Sequence, residues 1–209
     1  MSLLGAAVLF VLALTGAFDS SYAGPPPVTP FGPTLENYRT PQPTLAAPPP
    51  SGAPIASLVI SRFGIDAPVQ VKGVDANNVM VSPDGPTNVA WYDFSAKPGF
   101  GGNAVFSGHV DYIDYGPAVF WHLKDLVAGD TIEVRLEDGT AYKYAVETLQ
   151  SVPAEPTQDQ LRDIVGPSAN DIVTLITCGG TFSQETRQYD QRTVVRAKRV
   201  VEPAAAPGP

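Results

Sequence analysis

The sequence contains few of the residues that usually reveal an active site. Its 209 residues include one cysteine, two histidines and 13 basic side chains against 21 acidic ones. The formal charge of −8 leaves no basic surface of the kind that nucleic-acid binding requires, so nucleic acid is not an expected partner. A single cysteine excludes an internal disulfide, and this residue is therefore either a small buried side chain or a functional thiol.

Charge is also missing from the amino-terminal region. Residues 2–18 are uncharged, and Arg39 is the first basic residue of the chain. An apolar run of this length is near the lower limit for spanning a bilayer and also resembles a signal segment. We therefore expect residues 1–23 to be a membrane anchor or signal segment rather than a buried core helix. The rest of the chain is then expected to be extracellular and held at the cell membrane.

Proline is concentrated in one segment of the chain. Half of the 22 prolines lie between residues 24 and 54. Because proline removes a backbone donor and fixes φ, this segment suits neither a helix nor an interior strand, and an extended extracellular spacer is expected. The folded domain is then expected at residues 55–201, followed by a disordered tail at 202–209.

The expected folded domain is mainly β, because its apolar residues recur in short, alternating, β-branched stretches separated by Gly, Pro and Asp. Glu137–Thr140 predicts a hairpin turn. Short helical insertions are indicated at Ala118–Leu126 and after Thr157, which begins a capping-box pattern. The whole pattern indicates a closed β-barrel. The predicted strands are Ala56–Ile60, Val69–Val71, Asn88–Trp91, Asn103–Val110, Thr131–Leu136, Tyr142–Val152, Asp171–Thr177 and Thr193–Val201.

The lone cysteine, Cys178, follows the apolar run Asp171–Thr177 and precedes two glycines. A strand that ends in cysteine and opens into Gly-Gly places the sulfur beside accessible backbone N–H groups. Such groups can stabilise an oxyanion, so the pattern favours an acyl-transfer nucleophile. Thr177 and Gly179, which flank the cysteine, are supporting candidates.

Two further segments supply a proton carrier and a positive charge. His109 follows the short apolar strand Ala104–Phe106, and its imidazole can accept a thiol proton or protonate a leaving amine. Asp111 is a candidate for orienting that imidazole, although a solvated turn explains both residues equally well. Arg192 is a candidate oxyanion stabiliser, and Arg187 competes with it for this role.

Together these segments resemble the sortases, a family of cysteine transpeptidases. TLITC at Thr174–Cys178 matches the TLxTC signature of the family, and GHVD at Gly108–Asp111 resembles its histidine segment. The sequence RTVVRA, which begins at Arg192, resembles its arginine-bearing strand. The segments SGHVDY, GPAVF and TCGGTF look closest to the class F sortases of actinobacteria. The resemblance spans residues 55–201.

The resemblance implies a closed, eight-stranded, sortase-type β-barrel with His109, Cys178 and Arg192 as catalytic residues. It implies cleavage of an LPxTG-like sorting signal through a thioacyl-enzyme, followed by transfer of the surface protein to an amine such as a peptidoglycan precursor. No cofactor is needed for this reaction, and no metal site is expected.

Two alternative functions remain at this level. The first is another exported cysteine acyl-transferase or peptidase of the cell wall. Families of that kind usually show an S-x-G-C pattern or a cysteine that precedes its histidine, whereas here the histidine comes first. The second is a non-catalytic β-barrel module displayed on a Pro-rich stalk.

Overall fold

The computed structural model describes residues 50–201. The expected anchor at 1–23, the spacer up to residue 49 and the tail at 202–209 lie outside the described residues. Within the described part, no helix is long and apolar enough to cross a membrane.

Strands are the main secondary structure of the described chain, as its alternating apolar pattern predicts. One α-helix, α1, covers Gln158–Val165 between the eighth and ninth strands. The strands are β1 (Ile55–Ile60), β2 (Ile65–Lys72), β3 (Val89–Tyr92), β4 (Asn103–Gly108), β5 (Asp111–Tyr112), β6 (Gly116–Pro117), β7 (Thr131–Leu136), β8 (Ala141–Pro153), β9 (Ile172–Ser183) and β10 (Gln188–Arg199).

Eight of these strands close into a barrel in the order β1-β2-β3-β4-β9-β10-β8-β7. The β2–β3 and β4–β9 pairs are parallel, and the other pairs are antiparallel. Strands β5 and β6 form a small separate sheet. The predicted closed, eight-stranded barrel is confirmed.

Side chains that alternate along the strands fill the barrel interior, as the period of two in the sequence requires. On β9, for example, Val173 and Leu175 are fully buried and pack with Val195 and Ala197 of β10 in the main core. Ile176 instead joins a second apolar cluster outside the barrel. Successive residues of β9 therefore serve the core and the outer face in turn.

Helix α1 begins where the capping-box pattern predicts. The Gln160 backbone N–H donates to Thr157 Oγ1 over 3.3 Å, and the Thr157 N–H donates to Gln160 Oε1 over 2.9 Å. Two backbone donors at the helix start are thereby satisfied.

The predicted helix at Ala118–Leu126 was wrong, because only a 3-10 helix at Leu123–Asp125 forms there. Backbone donors of this segment bond to distant carbonyls: the Ala118 N–H donates to Val110 O and the Phe120 N–H to His109 O, each over 2.9 Å. These donors are thus satisfied outside the segment, and the buried Phe120 fixes it against the barrel.

The last residues of the expected spacer pack against the barrel. The Ser51 backbone N–H donates to the Tyr142 hydroxyl over 2.8 Å, and the Glu137 N–H donates to Pro54 O over 3.0 Å. Ala53 lies against the main core. Residues 51–54 are therefore part of the folded unit.

Candidate active site

Cys178 and Arg192 face each other across two neighbouring strands. The β9–β10 register pairs Cys178 directly with Arg192, and Ile176 with Val194. Directly opposed residues of an antiparallel pair project from the same face, with Cβ atoms about 4.5–5.5 Å apart. Because Ile176 lies on the outer face, Cys178 and Arg192 project outward as well. Both side chains are half-buried and line a cleft of about 710 Å³.

The parallel pairing of β4 with β9 brings His109 to the same place. The last paired residues are Ser107 and Ile176, so the next residues of both strands emerge side by side. Thr177 Oγ1 donates to the Gly108 carbonyl over 2.8 Å and holds this end of β4 in register. His109 follows at once and lines the cleft with Cys178 and Arg192. Residues 69 positions apart in the chain thus share one site.

The imidazole of His109 is held by the loop between β2 and β3. Its Nε2 lies 2.9 Å from the carbonyl oxygen of Pro83, and its ring meets Tyr112 edge-on at a centroid distance of 5.2 Å. A carbonyl oxygen only accepts, so Nε2 carries a proton and donates it to this bond. Nδ1 is then the nitrogen that can accept and return a proton.

Strand β9 does not end at Cys178, which corrects the expectation from the sequence. It continues to Ser183, and β10 begins at Gln188, so only a four-residue turn separates the two strands. A register shift between Tyr189 and Gln191 marks a β-bulge at Gly180, whose φ is +78°. Bulges bend a strand and re-aim its side chains, and they are frequent beside active sites.

The two candidate arginines occupy different environments. Arg187 lies in the exposed turn with a φ of +54°. Arg192 lies inside β10 rather than before a strand as expected, and its Nη1 donates to the Gln191 carbonyl over 3.1 Å. Across residues 50–201, no carboxylate lies within ion-pairing distance of Arg192. Its positive charge is therefore available to the cleft.

The three supporting candidates have distinct contacts. Thr177 bonds to Gly108 as described above, and a Cβ added at Gly179 would lie 2.6 Å from Thr193 Oγ1, so a larger residue there would force the Thr193 side chain to move. Asp111 accepts a hydrogen bond from the hydroxyl of Tyr189 over 2.5 Å. Tyr189 has no motif of its own, and sequence reasoning missed it.

Two elements that the sequence did not connect with the site form the cleft walls. The β2–β3 loop contributes Val79 and Met80, and α1 contributes Leu161 and Ile164. A hydrophobic wall of this kind suits a substrate with apolar side chains.

A buried asparagine fixes α1 to the barrel. The Asn103 Nδ2 group donates to the carbonyls of Ile164 and Gly166, each over 3.0 Å. Its Oδ1 accepts from Thr174 Oγ1 over 2.7 Å. Thr174 belongs to the TLITC segment, so the same motif positions both the nucleophile and one wall of the cleft.

The described part of the chain has no cluster of side chains that could bind a metal ion. Residues 50–201 contain no group of three or more His, Cys, Asp or Glu side chains that could hold an ion. Cys178, His109 and Arg192 supply the cleft with a thiol, an imidazole and a guanidinium.

Comparisons with known proteins identify a family and several similar folds. Residues 58–200 match the family model of the Sortase domain, whereas comparison with curated proteins gives no significant match. The fold is similar to a lid mutant of sortase A from Corynebacterium diphtheriae, with 26% identity, a TM-score of 0.54 and coverage of 74% of this chain and 75% of that one. It is also similar to the sortase D5 transpeptidase of Clostridium perfringens, with 20% identity, a TM-score of 0.52 and coverage of 71% of this chain and 79% of that one. A third similar fold is that of sortase C-1 of Actinomyces oris, with 24% identity, a TM-score of 0.52 and coverage of 71% of this chain and 75% of that one.

Proposed function

Because the chain belongs to the sortase family of cysteine transpeptidases, we propose that it cleaves an LPxTG-like sorting signal and joins the cleaved surface protein to an amine. The observation that carries the proposal is the convergence of Cys178, His109 and Arg192 on one cleft.

In the first half-reaction, the Cys178 thiolate attacks the carbonyl carbon of the threonine in the signal. The tetrahedral oxyanion is stabilised by the Arg192 guanidinium, whose position opposite Cys178 is fixed by strand pairing. As the C–N bond breaks, the His109 imidazolium donates its Nδ1 proton to the departing glycine amine. The products are a thioacyl-enzyme and the free carboxyl-terminal fragment.

In the second half-reaction, an incoming amine attacks the thioester carbonyl and His109 Nδ1 takes the proton that the amine loses. The C–S bond breaks, a new amide forms and the Cys178 thiolate is restored. His109 is again an imidazolium, so the two half-reactions return the site to its starting state without a cofactor.

The cleft supports a peptide substrate of this type. Its volume of about 710 Å³ lies within the range of about 300–1,000 Å³ that is usual for ligand sites. Val79, Met80 and Leu161 give it aliphatic walls that suit the Leu-Pro part of a sorting signal.

The segments SGHVDY, GPAVF and TCGGTF support placement in class F, with surface proteins and a peptidoglycan precursor amine as partners. Membership of the sortase family argues against the two alternative functions, a non-catalytic display module and another type of cell-wall acyl-transferase.

A direct test uses fluorogenic LPxTG-like and LAxTG-like peptides with and without an added amine. We expect cleavage between Thr and Gly, and with the amine present we expect a product in which it is joined to the threonine carbonyl. A peptide with the same residues in scrambled order is the control. Equal cleavage of the scrambled peptide, or no amide product with any amine, would contradict the proposal.

The proposal also includes location: residues 1–23 hold the protein at the cell membrane, and 24–49 let the domain reach outward. Removal of residues 1–49 is expected to release soluble, active protein from the membrane fraction. Removal of 1–54 is the matched comparison, because it also deletes the contacts of Ser51 and Pro54 with the barrel. We expect a lower Tm for this longer truncation, measured by calorimetry. An inactive 50–209 fragment would show that the first segment belongs to the working domain.

A further inference from the structure

A hydrogen bond joins the histidine segment to the strand that carries the arginine. The Tyr189 hydroxyl on β10 donates to Asp111 Oδ2 on β5 over 2.5 Å. Asp111 lies two residues after His109, and Tyr189 lies three residues before Arg192. The bond connects residues 78 positions apart in the chain.

Two hydrogen bonds anchor the chain on either side of His109, one before it and one after it. Before the histidine, Thr177 of β9 donates to the carbonyl of Gly108. After it, Tyr189 of β10 donates to Asp111. The backbone between the two anchors leaves the barrel at the end of β4, so these bonds tie it to the strands that carry the thiol and the guanidinium.

Tyr189 is suited to act as a permanent donor. Its ring packs on Phe182, its register partner on β9, at a centroid distance of 5.1 Å. Partial burial and, after it, the hydrogen bond to the Asp111 carboxylate raise the pKa of Tyr189 to about 12; the charge of Cys178 acts in the same direction. The phenol therefore keeps its proton at neutral pH, and its hydroxyl lies within electrostatic range of the nucleophile.

Asp111 uses its carboxylate for this tyrosine, whereas the described hydrogen bond of the His109 ring goes to Pro83. Asp111 therefore acts on the imidazole through the backbone between them, and not through a direct bond of the kind found in hydrolase triads.

We propose that Tyr189 and Asp111 form a positioning pair that holds His109 in line with Cys178 and Arg192. The inference rests on the proposed roles of those three residues. Proton transfer depends on the reach and angle of the imidazole, and small displacements of a catalytic group are costly in rate. Removal of the pair therefore changes turnover more than substrate binding.

The test compares Tyr189→Phe, Asp111→Asn and the double variant in the full-length protein. Each single variant is expected to lower kcat for peptide cleavage about tenfold, the scale of one hydrogen bond to a charged group, with KM within about twofold. The double variant is expected to lose no more than either single one, because both changes remove the same bond. Tyr115→Phe is the matched control: this tyrosine follows Asp111 in the small β5–β6 hairpin and is exposed. Unchanged kcat in both single variants, or losses that add in the double variant, would overturn the proposal.

A second readout is independent of turnover. The chain has two histidines, so histidine labelling gives two imidazole signals by NMR. The His109 signal is expected to move or broaden in Tyr189→Phe and Asp111→Asn. His122, which pairs with Asp125 over 2.9 Å on the surface, should keep its shift and serves as an internal control. A His109 signal identical to that of the wild type in both variants would overturn the positioning role. A wild type that cleaves no sorting peptide would instead count against the proposed function, while the NMR comparison would still test the pair.

Discussion

Cys178→Ala is expected to abolish both peptide cleavage and amide formation. The side chain faces Arg192 in the cleft and is the one thiol in the sequence. Loss of the nucleophile from a catalytic unit costs up to about 10⁶ in rate, so no turnover should be detectable in the peptide assay. Intact mass spectrometry with a slow peptide substrate should show one acyl adduct on the wild type and none on the variant.

Folding of Cys178→Ala serves as the control for this result. The cysteine is half-buried on the outer face of the barrel, so its replacement by alanine should leave the main core and the Tm nearly unchanged. A variant with an unchanged Tm and measurable turnover would remove Cys178 from the nucleophilic role. Cys178→Ser is a further comparison, because it keeps the size of the side chain but has a much weaker nucleophile.

Arg192→Ala is expected to lower kcat about 10²–10³-fold, the usual cost of losing an oxyanion donor. The guanidinium is preorganised because strand pairing places the Cα of Arg192 opposite that of Cys178. Its charge is retained because no acidic side chain among the described residues pairs with it. Arg187→Ala is the matched control, since this arginine lies in the exposed turn of the same hairpin. We expect its kcat to stay within about twofold of the wild type, as for most exposed substitutions.

Arg192→Lys separates charge from geometry. A lysine keeps the positive charge but replaces the planar, multi-donor guanidinium with a single ammonium point. We expect Arg192→Lys to recover only a small part of the lost activity. The measurement is the single-turnover rate of acylation, to which product release does not contribute. The opposite ranking, with Arg187→Ala more damaging than Arg192→Ala, would transfer the oxyanion role to Arg187. The barrel assignment would be unaffected.

Local patterns in the sequence were enough to locate most secondary structure. Strands are recognisable because the two faces of each barrel strand meet different environments, which forces an alternation that is visible in the chain. The capping box at Thr157 and the turn at Glu137–Thr140 are local as well, since each depends on hydrogen bonds between residues a few positions apart. The helix prediction for Ala118–Leu126 was wrong for the opposite reason, because the N–H groups of Ala118 and Phe120 bond to the distant carbonyls of Val110 and His109.

The composition and the motifs of the sequence by themselves determined the candidate nucleophile, because the chain has one cysteine and it stands within TLITC. The tertiary structure decided what surrounds it. The pairing of Arg192 with Cys178 depends on the register of β9 and β10, and a shift of one residue would turn either side chain to the opposite face. The hydrogen bonds from His109 to the Pro83 carbonyl and from Tyr189 to Asp111 join residues 26 and 78 positions apart. No local pattern encodes such contacts, because they arise only when the barrel closes and brings its strand ends together.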